Sequence, residues 1–493
     1  MRITVIGTGY LGAVHAACMA SIGHEVLGVD SDADKIAELA AGRVPFFEPG
    51  LADILGPSVR SGQLRFGVSY PEAGHFGEIH FICVGTPQLA GSYAADVSAV
   101  DAAVERLVPE CTRDCLIVGK STVPVGTAAR LADVIEDLAP EGCSVELAWN
   151  PEFLRESTAV RDTLHPDRLV VGVASDRADA MLRMAYAPMI STGTPYIATD
   201  LSTAEMVKVS ANAFLATKVS FINVIADICD VADADVVTLA EALGLDSRIG
   251  SQALAAGLGF GGGCLAKDVR ALEARAAELG AADAVAFLGT IDGTNAGRRR
   301  RAIDIARMLV GGSFRDQNVA VLGVAFKPDT DDVRDSPALA VARAIDSQGA
   351  SVRVHDPRAI DNARARLPHL NYVTDVEKAC EGADLVLHLT EWGEYSELDP
   401  VALRAVVRNP RIFDARNVLP LDQWLAAGWT TRAFGRRFPQ AKPDEVSNPV
   451  GAVGGLSPGV AGIAGVAGVA GVAGPTHARR SWCEEGGGPC GCW

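Results

Sequence analysis

Short apolar runs and amphipathic stretches alternate along about the first 200 residues, and no other feature constrains the fold of this chain so tightly. The runs RITVIG, HEVLGVD, HFICVG, CLIVGKS, VELAWN and RLVVGV read as strands, with helical segments between several of them. That alternation predicts a mostly parallel sheet with helices on both faces. Between about residues 201 and 300 the strand pattern vanishes and helix signals dominate. Ser202, Thr203, Ala204 and Glu205 have the form of a capping box, and the run to about Ala232 is apolar around most of its circumference. Such a helix is buried in a core or against a second subunit. From about 318 to 436 the alternation returns in NVAVLGVAF, SVRVHDP, DLVLHLT and RIFDAR. The expected fold class is therefore α/β: two doubly wound, Rossmann-like domains, residues 1–200 and 313–438, joined by a central helical domain, 201–300, that also joins subunits. Residues 440–493 collapse into Gly, Ala, Val and Pro. Their GVAGIAGVAGVAGVAG triplets hold no proline, so collagen is excluded and a disordered tail is expected.

A chain of 493 residues holds about three domains, so a site between domains is available. The net charge of −17 repels phosphate backbones and anionic membranes, which argues against nucleic-acid and membrane partners. Any anionic substrate must then be gripped by a few placed cations. The opening MRITVIGTGY is already a strand and a glycine turn without a leader, and no apolar run is long enough to span a bilayer, so a cytoplasmic protein is expected. The eleven cysteines are too sparse for a disulfide framework. Cys111 and Cys115, with no histidine near them in the chain, are expected to be packed thiols, and no metal site is expected. Cys483, Cys490 and Cys492 fall in the tail.

Gly7-x-Gly9-x-x-Gly12 follows the first strand directly and opens a helical segment, where such glycines permit a tight turn, pyrophosphate approach and close helix packing. Asp30 ends the second strand, placed to accept from the adenosine ribose and to repel a 2′-phosphate. NAD is therefore the expected cofactor, with Lys35 in reach of the same ribose. The segment from Gly259 to Asp268 carries the chemistry: three glycines let the backbone approach a ligand before Cys264, Lys267 is expected to favour its thiolate, and Asp268 follows four residues on. Lys208 and Asn212 form a second i, i+4 pair on the apolar helix, costly unless they meet a partner or substrate. Two further clusters, Lys120 to Gly126 and Trp149 to Glu156, follow strands of the first domain and belong beside a nicotinamide. The arginines 298 to 301 read as a solvated helix segment.

The motifs GTGYLG, FICVGTP, KSTVPVGT, NPEFLRES, EMVKVSANAFLATKVSFIN, RIGSQALAAGLGFGGGCLAKD and LGVAFKPDTDDVRDSP stand in the order of the UDP-glucose/GDP-mannose dehydrogenase family, which the chain resembles over about residues 1–436. The variants look most like the bacterial UDP-glucose 6-dehydrogenase branch. The resemblance implies a four-electron oxidation at C6 of a nucleotide sugar by two NAD in turn, with UDP-glucose as substrate, and GDP-mannose or a UDP-N-acetylhexosamine as the alternative. Cys264 would carry the thiohemiacetal and thioester. Lys208, Asn212 and Asp268 would position water, stabilise the oxyanion and move protons, and Thr122, Glu152 and Glu156 would complete the catalytic set. Leu11, Thr86, Thr122, Glu156, Lys267 and Arg334 would join the glycine turn in holding the cofactor. Phe153, Leu154, Leu254, Leu258, Phe260, Gly261, Lys327 and Arg416 would grip the sugar nucleotide with Glu152, Lys208 and Asn212. Arg248 would come from a neighbouring subunit of a homodimer or larger homo-oligomer. Gly263 and Ala266 depart from the family pattern, which often has Ser or Tyr and Pro there.

Overall fold

The computed structural model describes residues 1–436. Eight strands form the first sheet: β1 (Arg2–Ile6), β2 (Glu25–Val29), β3 (Leu64–Gly67), β4 (Ile79–Ile82), β5 (Cys115–Gly119), β6 (Val145–Trp149), β7 (Leu169–Gly172) and β8 (Tyr196–Thr199). Their order is β3-β2-β1-β4-β5-β6-β7-β8, parallel except where β6 meets β7. The six expected strands are present, and β3 and β8 were not anticipated. Both are edge strands that are mostly not buried, so they lack the unbroken apolar run of equally short β4 and β7. A six-stranded sheet follows in the order β11-β10-β9-β12-β13-β14, from β9 (Asn318–Leu322), β10 (Ser351–His355), β11 (Asn371–Tyr372), β12 (Leu385–His388), β13 (Arg411–Asp414) and β14 (Thr430–Ala433). Apolar cores fill both faces of the first sheet and surround the second. The expected disordered tail, with its three cysteines, lies outside the described residues.

Between the sheets run three helices, Leu201–Ala232, Leu265–Glu278 and Ala282–Leu309, packed on one another. The first ends where Asp233 turns left-handed. Its start corrects the expected capping box. Asp200, not Ser202, is the N-cap, accepting from the Thr203 amide at 2.8 Å. Glu205 is thereby free for another helix: its carboxylate accepts from the Gly126 and Ala128 amides, both at 2.7 Å, and so caps Thr127–Leu138. Replacing Glu205 by Ala leaves one buried and one half-buried donor unmet. The expected cost is about 2 kcal/mol, less for Glu205→Gln, which keeps one acceptor; urea unfolding checks it.

The arginine run is likewise not uniformly solvated. Arg298 is 2 % exposed and ion-pairs with Asp227 at 2.6 Å, under the ring of Phe434. It lies on the buried stripe of its helix with Leu288, Ile291, Ala302 and Ile305. Arg299 pairs with Asp335 at 2.8 Å.

Candidate active site

The glycine turn leaves β1 at Gly7, whose φ of +89° suits glycine. A Cβ on Gly12 would stand 1.8 Å from the Gly7 carbonyl oxygen, so the helix Tyr10–Ser21 can close on the turn only with glycine there. A Cβ on Gly9 would meet nothing within 4 Å: this side of the turn faces open space, as a pyrophosphate requires. Asp30 stands beyond it, its carboxylate accepting from the Thr8 amide at 2.8 Å and pairing with Lys35 at 3.0 Å. Burial works against its ionisation, but these hydrogen bonds and Lys35 hold its pKa below the usual carboxylate range. These residues fit NAD, with the turn for its pyrophosphate and Asp30 for the adenosine ribose.

From the turn a cleft of about 670 Å³ runs past Leu11, Thr86, Thr122, Glu152, Leu154 and Glu156 to Cys264, Lys267, Asp268 and Arg334, a volume suited to a small-molecule ligand. The loops after β4 and β5 are tied together where Thr86 Oγ1 donates to the Thr122 carbonyl at 2.8 Å. At the cleft floor Cys264 caps the helix Leu265–Glu278, and the Asp268 amide donates to its carbonyl at 2.8 Å. The two side chains therefore share a helix face. Asn212 Nδ2 donates to Asp268 Oδ2 at 2.6 Å, and Lys208 Nζ pairs with Glu152 Oε1 at 2.9 Å. Two i, i+4 pairs and one loop carboxylate thus converge beside one thiol. Phe153 lies under the cations, 4.0 Å from the Arg168 guanidinium and 5.8 Å from Lys208.

The field around Cys264 differs from expectation. Lys267 is not its counter-ion: Nζ pairs with Asp268 Oδ1 at 2.7 Å. The sulfur meets solvent at the cleft floor, but protein encloses it elsewhere. Burial first, then Glu152 and Asp268, push the thiol up to about 12, against the pull of Lys208. The resting group is a thiol. Lys208 behaves oppositely: burial works to lower its pKa, but Glu152 and Asp268 outweigh it, raise the pKa and keep it an ammonium. Glu156 is poised between forms, raised to about 7 by burial and by Asp332, with Arg334 and Lys327 opposing.

The three glycines before Cys264 also pack closely against the protein, and Gly262 and Gly263 line the cleft. A Cβ on Gly261 would stand 2.4 Å from the Asp335 carbonyl, one on Gly262 2.8 Å from the Phe326 ring and one on Gly263 2.7 Å from the Arg334 guanidinium. The loop is threaded against residues 326–335, by backbone at Gly261, by a ring at Gly262 and by the end of a flexible side chain at Gly263. Arg334 bridges Glu156 at 2.9 Å and Asp332 at 2.7 Å, and Lys327 Nζ donates to the Glu156 carbonyl. Ala266 is fully buried.

The remaining expected grip residues divide. Phe260 and Gly261 are buried in the loop leading to Cys264, and Arg416 donates to the carbonyls of Leu389 at 2.6 Å, Phe326 at 3.2 Å and Gly259 at 3.3 Å. Leu254 and Leu258 lie in the core around the second sheet rather than on the cleft wall. Arg248 is exposed, pairs with Asp246 at 2.7 Å, and is not brought to the cleft of its own chain. Sequence reasoning missed the residues that hold this loop. Asn295 accepts from the Phe260 amide and donates to its carbonyl, both at 2.9 Å; Asn223 accepts from the Gly257 amide at 2.9 Å; Arg298 donates to the Gly257 carbonyl at 3.1 Å. The periodic buried stripe containing Asn295 and Arg298 was the available signal. Glu48 was also missed. Its carboxylate accepts from the amides of Ser157 at 2.8 Å and Ala159 at 2.7 Å, and from the Tyr10 hydroxyl, holding Ser157 at a φ of +76° beside Glu156.

Residues 1–190 match the NAD binding domain of the UDP-glucose/GDP-mannose dehydrogenase family, 202–296 its central domain and 320–421 its UDP binding domain. The UDP-glucose 6-dehydrogenase YwqF of Bacillus subtilis (strain 168) is 39% identical over 438 residues, 89% of this chain and 98% of that one. A UDP-glucose 6-dehydrogenase of Rhizobium meliloti (strain 1021) is 39% identical over 438 residues, covering 88% and 100%. Among solved structures, a UDP-glucose dehydrogenase from the hyperthermophilic archaeon Pyrobaculum islandicum superposes with a TM-score of 0.82 at 36% identity, covering 89% of this chain and 98% of that one. With three domains of one family matched in order and relatives aligned along nearly their whole length, this chain belongs to the UDP-glucose/GDP-mannose dehydrogenase family.

Proposed function

We propose that this chain oxidises C6 of UDP-glucose from alcohol to carboxylate, consuming two NAD and one water and releasing two NADH and three protons. The convergence of Lys208, Asn212, Glu152 and Asp268 beside Cys264 carries the reading. Bound NAD supplies the hydride acceptor; the chain's own residues do the rest. Lys208, an ammonium in a nearly dry site, favours negative charge developing on the C6 oxygen. The Cys264 thiol adds to the aldehyde carbon, and its proton ends on the carbonyl oxygen. A high thiol pKa is therefore no obstacle to a thiohemiacetal, whose carbon still has a hydride to give. The thioester left by the second oxidation is opened by water. Glu156, near its midpoint at neutral pH and itself lining the cleft, and Glu152 are the groups assigned to move that water's proton.

The central helix supports a homodimer. Phe214, Phe221, Val224, Ile228 and Val231 form an exposed apolar series along Leu201–Ala232, which a second copy would bury. Arg248 would then serve the partner's site. Among the described residues no helix is long and apolar enough to cross a membrane. The free thiols suit a reducing compartment, and we place the protein in the cytoplasm. Purified protein supplied with limiting UDP-glucose and excess NAD is expected to release two NADH per sugar. A yield of one defeats the double oxidation, and faster turnover of GDP-mannose or a UDP-N-acetylhexosamine in the same panel defeats the substrate.

A further inference from the structure

At the end of the first sheet opposite the glycine turn, three soft ligands meet in the dry core. In the sheet register Thr4 pairs with His80 and His80 with Ile117, and Cys115, two residues before Ile117, shares their face. Cys111 arrives from the adjoining short turn Val108–Glu110. A ligand atom from each of His80, Cys111 and Cys115 lies within 4.8 Å of the others, and the three residues are 0–2 % exposed. The chain hid this, because the histidine comes from a different strand. It corrects the expectation of two cysteines without a histidine.

The histidine supplies the second observation. Its Nδ1 is hydrogen-bonded to Thr4 Oγ1 at 2.7 Å, whereas its Nε2 is fully buried and has no hydrogen-bond partner. A buried ring nitrogen left unpaired is costly. A metal-bound imidazole has the same arrangement: the distal N–H donates to a protein oxygen, which fixes the tautomer and aims the lone pair of the other nitrogen at the ion. Room for the ring is built in, since a Cβ on Gly77 would stand 2.5 Å from His80 Cε1. A third thiol, Cys143, is half-buried at the rim and donates to the Cys111 carbonyl at 3.7 Å.

We propose that His80, Cys111 and Cys115 form a structural binding site for a thiophilic d10 cation of the Zn²⁺ class, with Thr4 orienting the imidazole. Two thiols give up their protons as the dication binds, so the occupied site is neutral and can sit in an apolar core. It lies apart from the Cys264 cleft, with which it shares no lining residue.

The test uses full-length reduced protein, stripped with a chelator, loaded with Zn²⁺ and desalted. About one tightly held zinc per chain is expected, with an X-ray absorption shell of sulfur at about 2.3 Å and nitrogen at about 2.0 Å. Simultaneous replacement of Cys111 and Cys115 by Ser should abolish this binding, while replacing Cys483, Cys490 and Cys492 by Ser should leave it intact. Should the core double variant fail to fold, Thr4→Val removes only the imidazole's partner and should weaken zinc binding about 10–100-fold with NADH production unchanged. The proposal is overturned if the wild type retains no zinc, if its shell is all oxygen and nitrogen, if retention survives in the folded core double variant, or if Thr4→Val binds as tightly as wild type.

Discussion

Cys264→Ala is expected to lower steady-state NADH production by about 10⁴-fold or more while leaving the thermal midpoint close to wild type. The size follows from the role: without sulfur the aldehyde has no covalent anchor, and the second hydride donor, a tetrahedral carbon bearing sulfur and oxygen, never forms. The stability follows from the position, since Cys264 is exposed at the cleft floor and its removal opens no cavity in the core. A hydroxylamine trap should collect aldehyde from the variant and none from the wild type, and any residual turnover should yield one NADH per sugar. Cys264→Ser should stall later, because an alkoxide is a poorer leaving group than a thiolate. Two NADH per sugar at the wild-type rate from the alanine variant would remove the covalent step from the mechanism.

What could be read in advance was what repeats along the chain. Strand alternation, the glycine turn with Asp30 and the two i, i+4 pairs are local periodicities, and the folded chain keeps them. Contacts made across the fold were not legible. Lys267 stands three residues from Cys264, yet it is held by Asp268; burial and then Glu152, on a loop after β6, keep the sulfur a thiol instead. Glu205 has the spacing of a cap for its own helix and caps another. The glycines before Cys264 signal close approach, but sequence cannot name the approaching group, which here is the 326–335 segment. Arg298 looked like a solvated residue because charge dominates a composition window; its buried neighbours at three- and four-residue spacing, Asn295 among them, were the better guide.

Lys208 links the stability of the site to its chemistry. Its ammonium is 5 % exposed and faces Glu152, itself 12 % exposed, with Asp268 nearby. Lys208→Met keeps the chain length and removes the charge, leaving a nearly buried carboxylate without its counter-ion. The expected destabilisation is about 3–5 kcal/mol, and the expected fall in kcat is about 10²–10³-fold, the scale for losing an oxyanion donor. The two effects separate in the double variant with Glu152→Gln. Removing both charges should recover most of the stability, whereas kcat should stay low because no cation meets the C6 oxygen. The pH dependence has a definite sign. The lysine's folded pKa lies above its ordinary value, so its contribution is complete below that value and fades only as pH rises through the higher one. The stability gap between wild type and Lys208→Met should therefore be flat from about pH 7 to 9 and close only in stronger alkali. A gap that closed near neutrality would mean that Lys208 is already uncharged in the resting site, and a kcat within a few-fold of wild type would take the oxyanion from its care.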